Sequence, residues 1–122
     1  MADQVTLGDA TVYAVPSGQA VTLQDIIWDS PGPDGPVARF RFLAPAIARD
    51  GGTISEDMAG DDLQHLCETV VLAILAEQGD LPPAVMVSLA DRPVLFGDTV
   101  PDATQFFGSY RIEDGACVLE LF

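Results

Sequence analysis

Lysine is absent from this 122-residue chain, and histidine occurs only once. Five arginines stand against 19 acidic residues, so the formal net charge is −14. Nucleic acids and anionic lipid surfaces are bound by clustered Lys and Arg, and this composition argues against both as partners. It also excludes catalysis by a lysine amine. Self-repulsion of this size keeps a protein soluble and favours a monomer.

Long hydrophobic runs are absent too. The longest, Val70 to Ala76, is far shorter than the roughly 18 residues of a membrane span. The first ten residues lack the basic start and apolar stretch of a signal peptide. The chain is then either cytoplasmic as written, or Met1 replaces a removed leader and Ala2 begins the mature protein. With 48% hydrophobic residues, we predict a single domain over residues 1–122.

Motifs for catalysis and cofactor binding are also missing. There is no G-x-S-x-G nucleophile elbow and no glycine-rich phosphate loop ending in lysine. Asp29 to Gly35 superficially resembles a calcium loop, but its prolines and the missing twelfth-position Glu break that pattern. We therefore predict no metal, no cofactor and no enzymatic activity. The sequence leaves two further classes open. One is a hydrolase that uses two converging carboxylates, and the other is an acidic mimic of nucleic acid.

Hydrophobic periodicity predicts one helix and several strands. Ser55 is a suitable N-cap, and apolar residues recur at three- and four-residue spacing from Leu63 to Ile74. We expect an α+β fold in which this long helix, about 55–78, packs on one face of an antiparallel sheet of four to five strands. The predicted order is β-β-β-α-β-β. Strands are expected near 12–15, 20–29, 37–44, 84–90, 110–113 and 116–122, with a helical turn between 101 and 107.

Two cysteines, Cys67 and Cys117, lie fifty residues apart. Cys67 falls on the apolar stripe of the predicted helix, and Cys117 falls at an inward position of the last strand. Half-cystines placed in this way can join helix to sheet, which implies an oxidising compartment. The alternative is two buried free thiols that act as small hydrophobic residues. His65 does not suit a Cys-His pair, because helix residues two apart point about 160° away from each other.

Four arginines are candidates for binding a small anion, because the guanidinium group suits carboxylate and phosphate. The acid that precedes Arg92 belongs to the same candidate cluster. The cluster therefore consists of Arg39, Arg41, Asp91, Arg92 and Arg111. The alternative is that each arginine pairs with a neighbouring carboxylate. Asp91 and Arg92 would then be an ion pair that fixes the loop after a buried strand.

Several segments resemble a family of small bacterial proteins catalogued only as a domain of unknown function. The similarity extends from about Val15 onward and is carried by Val15–Gln19, Ala38–Pro45, Ile47–Thr53, Asp91–Pro93, Ala103–Phe107 and Tyr110–Cys117. The resemblance implies an exported protein that keeps both cysteines, with its leader absent from this chain. Some similar sequences carry an acetolactate synthase label, but that chemistry needs a thiamine site and a far longer chain. The resemblance therefore implies no activity.

The sequence thus favours a non-catalytic, periplasmic or secreted domain that binds another protein, and the negative field favours a basic partner. Phe106, Phe107 and Tyr110 near the C-terminal hairpin, together with Phe96 and Trp28, are expected in the core, and any exposed subset would form a contact patch. The alternative hypothesis is a receptor for a small anion or ion, built on the clustered arginines. A cytoplasmic location is the alternative to export.

Overall fold

The computed structural model describes residues 4–8, 11–30, 37–47, 54–79, 82, 84–93 and 103–120. Within these residues, four strands precede the helical region and three follow it. The strands are β1 (Gln4–Leu7), β2 (Val12–Tyr13), β3 (Val21–Ser30), β4 (Val37–Leu43), β5 (Ala84–Ala90), β6 (Gln105–Glu113) and β7 (Ala116–Leu119). A short 3-10 turn, Pro45–Ile47, follows β4. The α+β content predicted from the sequence is confirmed.

The seven strands form one mixed sheet in the order β1-β3-β4-β5-β6-β7, and β2 pairs with β3 beside β1. The predicted antiparallel sheet of four to five strands in the order β-β-β-α-β-β is therefore wrong. The central pair, β4 and β5, is parallel, with Ala38 opposite Val85 and Leu43 opposite Ala90. The physical reason is the helical crossover between them, which returns the chain to the end of the sheet where β4 began. β1 was not predicted at all.

The C-terminal part of the sheet contains a second correction. The predicted helical turn between 101 and 107 overlaps β6, which pairs with β5 along that strand's whole length. The first two residues of the predicted helical turn, 101 and 102, lie outside the described part of the chain. The expected Asp-Gly hairpin is present, because Asp114 and Gly115 have φ of 51° and 75° and join β6 to β7. Two positive φ values in a two-residue loop match the right-handed twist of the flanking strands.

The helical region has three consecutive segments: α1 (Glu56–Leu66), a π-helical turn (Cys67–Val71) and α2 (Leu72–Gln78). Ser55 caps α1 by accepting a hydrogen bond from the Met58 N–H at 3.2 Å. In the π turn the Leu72 N–H donates to the Cys67 carbonyl, five residues back. This wider turn moves the buried stripe by one position, so that Leu75 is fully buried where regular spacing predicts Ile74.

The hydrophobic core lies between the helical region and one face of the sheet. From the sheet it receives alternate residues of β4 and β5, among them Phe40, Phe42, Val85, Val87 and Leu89. From the helical region it receives Leu63, Leu66, Cys67, Val71 and Leu75. Arg39 and Arg41 alternate with the phenylalanines of β4 and therefore lie on the other face. Within the described segments, no helix combines the length and apolarity that crossing a bilayer would require.

Candidate functional site: an acidic groove beside a disulfide

A disulfide joins the π turn to the last strand. Cys67 and Cys117 form an S–S bond of 2.04 Å with Cα atoms 6.2 Å apart, and both residues are buried. Neither cysteine is free. The predicted bridge between helix and sheet is confirmed.

A hydrogen bond reinforces this connection one helical turn earlier. The Gln64 side-chain amide donates to the Cys117 carbonyl at 2.8 Å. Glu113 pairs with Ala116 at the turn, and the Glu120 N–H donates to the Ser109 carbonyl at the other end of the hairpin. Since hydrogen-bonded and non-hydrogen-bonded pairs alternate along an antiparallel ladder, the N–H and C=O groups of Cys117 point away from β6. Gln64 therefore occupies a hydrogen-bonding position on the outer edge of β7. Side-chain coverage of this kind protects a sheet edge from pairing with another strand.

A groove of about 450 Å³ lies next to this anchored edge. One wall is the N-terminal part of α1, and the floor and opposite wall come from β6 and β7. The lining residues are Glu56, Asp57, Gly60, Asp61, Leu63, Gln64, Phe106, Phe107, Gly108, Tyr110 and Leu119. Phe107 and Leu119 supply exposed apolar surface, with Leu63 and Tyr110 buried behind them, while three carboxylates stand on the helix side. None of these lining residues is basic, so a groove with an apolar floor and an acidic wall results.

Tyr110 and Gly108 are buried residues at the floor of the groove. The Tyr110 ring lies so close to Gly108 that an added Cβ would come within 2.7 to 2.8 Å of three of its atoms. A side chain at position 108 would therefore displace the ring. Burial raises the pKa of the Tyr110 phenol from 10.0 to about 12, because the charged phenolate is disfavoured where water is excluded. Only 2% of Tyr110 is exposed, so its ring is a buried, neutral part of the packing at the floor of the groove.

A buried carboxylate holds α1 against the turn that precedes β3. Asp62 is fully buried and accepts hydrogen bonds from the Ser17 N–H at 3.0 Å, the Ser17 hydroxyl at 2.5 Å and the Gln19 side-chain amide at 2.7 Å. The Gln19 Oε1 atom is buried, and no described residue gives it a hydrogen bond. This cluster fixes the helix segment that forms the acidic wall of the groove.

Comparison with known families assigns the chain to a group. A family model described as a family of unknown function matches residues 1–122. The chain belongs to DUF6497. Neither the curated proteins nor the solved structures contain a match to it. Membership in DUF6497 agrees with the resemblance noted in the sequence and supplies no activity for the groove.

The candidate arginines of this DUF6497 member lie on three strands or strand ends, with Arg39 and Arg41 together on β4 and with Arg92 and Arg111 at opposite ends of β5. Arg41 makes a bidentate pair with Asp25 at 2.6 and 2.8 Å, and Arg39 lies on the same face of β4. Arg111 is opposite Ala84 at the start of β5, whereas Arg92 follows the end of that strand. At about 3.3 Å per residue of strand, the backbones of Arg92 and Arg111 are separated by a distance on the order of 20 Å.

Two of these arginines also have nearby carboxylates. Arg92 contacts Asp91 at 3.2 Å, and Arg111 contacts Glu113 at 3.1 Å and Glu120 at 3.9 Å. Asp91 is held further by the Thr104 N–H at 3.0 Å, which ties the end of β5 to the segment before β6. Anion binding by these arginines stays a prediction.

Some groove residues could be anticipated from the sequence, and Asp62 was missed. Asp57 and Asp61 are exposed, as their spacing relative to the apolar stripe predicts. Asp62 lies three residues after Ala59 and four before Leu66, both buried, so the same spacing places it on the buried stripe. An acid on the buried stripe was therefore the sequence signal that could have identified Asp62. Among the described residues, no group of three His, Cys, Asp or Glu side chains is arranged to hold a metal ion.

Proposed function

We propose that this chain is a non-catalytic, exported domain that binds another protein through the groove between α1 and the β6–β7 hairpin. The observation that carries the proposal is the combination of apolar floor and acidic wall. Apolar floor residues such as Leu119, which is 49% exposed, supply hydrophobic contact area. The carboxylates of the wall attract and orient a basic partner.

Net charge supports the same type of partner. A formal charge of −14 produces a negative field over the surface, and such a field accelerates association with a positively charged protein. The repulsion also opposes self-association, so we expect a monomer when the partner is absent. Sedimentation velocity at low and moderate salt would measure this.

Export is supported by the disulfide. A bond of this kind persists in the periplasm or outside the cell and is rare in the reducing cytosol. We expect that alkylating thiols in intact cells before lysis will label neither cysteine. Labelling of both cysteines would place the protein in a reducing compartment and contradict export.

Site-specific photo-crosslinking tests the binding role. A benzophenone amino acid at Leu119 lies in the groove, and the same probe at Ala73, exposed on α2, serves as the control. In the native host we expect a discrete crosslinked protein for the Leu119 probe alone. No adduct at Leu119, or the same adduct from both positions, would contradict binding through the groove.

A further inference from the structure

Gly60 is an unusual residue for its position. It lies in the interior of α1, is exposed, and a Cβ added there would meet no atom within 4 Å. Glycine in a helix interior costs about 0.5–1 kcal/mol relative to alanine. Neither a turn nor close packing requires glycine here, so the fold does not account for this cost.

The place of Gly60 in the groove suggests what its missing side chain provides. Glu56, Gly60 and Gln64 are spaced by four residues, so they follow one another along the helix side that lines the groove. A side chain at position 60 would project between its two neighbours into the groove. Glycine leaves this space empty, which gives an open passage across the wall toward Leu119.

Two carboxylates border this passage. Asp57 and Asp61 are also four residues apart, both are exposed, and both line the groove. Asp57 belongs to the first turn, where an acid also stabilises the start of a helix. Asp61 lies beyond that turn, so the helix dipole does not account for it. Two acids one turn apart can share one planar guanidinium, whose five donors form a fork that a lysine ammonium lacks.

We propose that the groove binds an arginine side chain contributed by the protein partner. The aliphatic stem of that arginine crosses Gly60 and contacts the exposed Leu119 side chain, and its guanidinium lies between Asp57 and Asp61. This inference rests on the proposed function and specifies the residue that the partner supplies. Binding is through a side chain rather than an added β-strand, because Gln64 already bonds the Cys117 carbonyl on the edge of β7.

The first test uses three short peptides, N-acetyl-Leu-Arg-Leu-amide and the versions with lysine or citrulline at the centre. Citrulline has nearly the shape of arginine without its charge. We expect the arginine peptide to shift the backbone amide resonances of Gly60, Asp61 and Leu119. Affinity should fall at least tenfold for citrulline and several-fold for lysine. Equal affinity for all three peptides would overturn the proposal.

The second test uses variants of the full chain. Gly60→Leu fills the passage with a good helix former, and the double variant Asp57→Asn/Asp61→Asn removes the carboxylates. The matched control is Glu68→Gln/Glu77→Gln, which removes two exposed helix charges outside the groove and likewise changes the net charge from −14 to −12. We expect at least tenfold weaker arginine-peptide binding for the first two variants and less than twofold for the control.

The two proposals can fail separately. If the control weakens peptide binding as much as Asp57→Asn/Asp61→Asn does, attraction is nonspecific and the arginine site is wrong. If crosslinking from Leu119 succeeds while the peptides show no preference for arginine, the groove binds a protein but not through this side chain. If crosslinking fails while arginine binding is specific, the site recognises arginine and the protein-binding function is wrong.

Discussion

At the scale of single residues, Asp62 has the largest structural consequence outside the apolar core. A buried carboxylate is tolerated only when hydrogen bonds replace its lost hydration. Ser17 and Gln19 supply three donors, two of them side-chain groups. Since Ser17 lies in the turn before β3, the cluster connects distant parts of the chain. Its loss should therefore lower the stability of the whole fold.

Asp62→Ala should lower the free energy of unfolding by about 2–4 kcal/mol, because it leaves the donors of Ser17 and Gln19 buried without an acceptor. Urea denaturation measures this loss. The adjacent Asp61→Ala is the control, and as an exposed position it should change stability by less than about 0.5 kcal/mol. Similar losses for both variants would show that the Asp62 hydrogen bonds contribute little.

Tyr110 makes stability depend on pH in the alkaline range. Its pKa is about 12 in the folded protein and 10.0 as the reference value, so the folded state retains the phenolic proton more strongly. The stabilising difference is fully present below pH 10 and is lost as the pH rises through 12. Absorbance at 295 nm should therefore show one phenol ionising only near pH 12. In Tyr110→Phe this late step should disappear, and its persistence would assign it to another group.

At the scale of secondary-structure elements, the π turn and β7 form one unit. The disulfide joins Cys67, the first residue of the π turn, to Cys117 of β7. One turn earlier, the Gln64 side-chain amide donates a hydrogen bond to the Cys117 carbonyl. Cys117 is therefore held twice, through its sulfur and through its backbone. This arrangement sets the distance between α1 and β7, which is the width of the groove.

Replacing both cysteines by alanine should lower the free energy of unfolding by about 4 kcal/mol, since the bridge closes a 50-residue separation. Hydrogen exchange should rise most at the backbone amides of β7. A reductant should lower the urea midpoint of the wild type toward that of the variant and leave the variant unchanged. Equal midpoints for wild type and variant without reductant would mean that the bridge does not stabilise the fold.

Elements determined by local pattern could be predicted, and those determined by pairing could not. The Ser55 cap and the Asp114-Gly115 turn depend on a few neighbouring residues, and both are present in the structure. The parallel pairing of β4 with β5 depends on where the helix returns the chain, which hydrophobic alternation does not encode. Residues 105–107 were expected in a helical turn, but pairing with β5 overrides their local preference. The groove combines α1 with β6 and β7, so it became visible only with the fold.

At the scale of the whole molecule, charge is the dominant feature. Nineteen acids against five arginines impose repulsion that the folded state must overcome, although Arg41, Arg92 and Arg111 each lie close to a carboxylate. Compaction brings like charges closer, so the repulsion is greater in the folded than in the unfolded state. Salt shortens the range of this repulsion, from a Debye length of about 30 Å at 0.01 M to about 10 Å at 0.1 M.

Sodium chloride should therefore stabilise the protein, and the urea midpoint should rise between 0.01 and 0.2 M salt. The variant Asp57→Asn/Asp61→Asn/Glu68→Gln/Glu77→Gln, with a formal charge of −10, should have a higher midpoint at low salt and a smaller response. Arginine-peptide binding to the wild type should weaken over the same range, because the same screening reduces attraction to the groove. If salt lowers the midpoint, or stabilises both proteins equally, carboxylate repulsion is not what limits the stability of this fold.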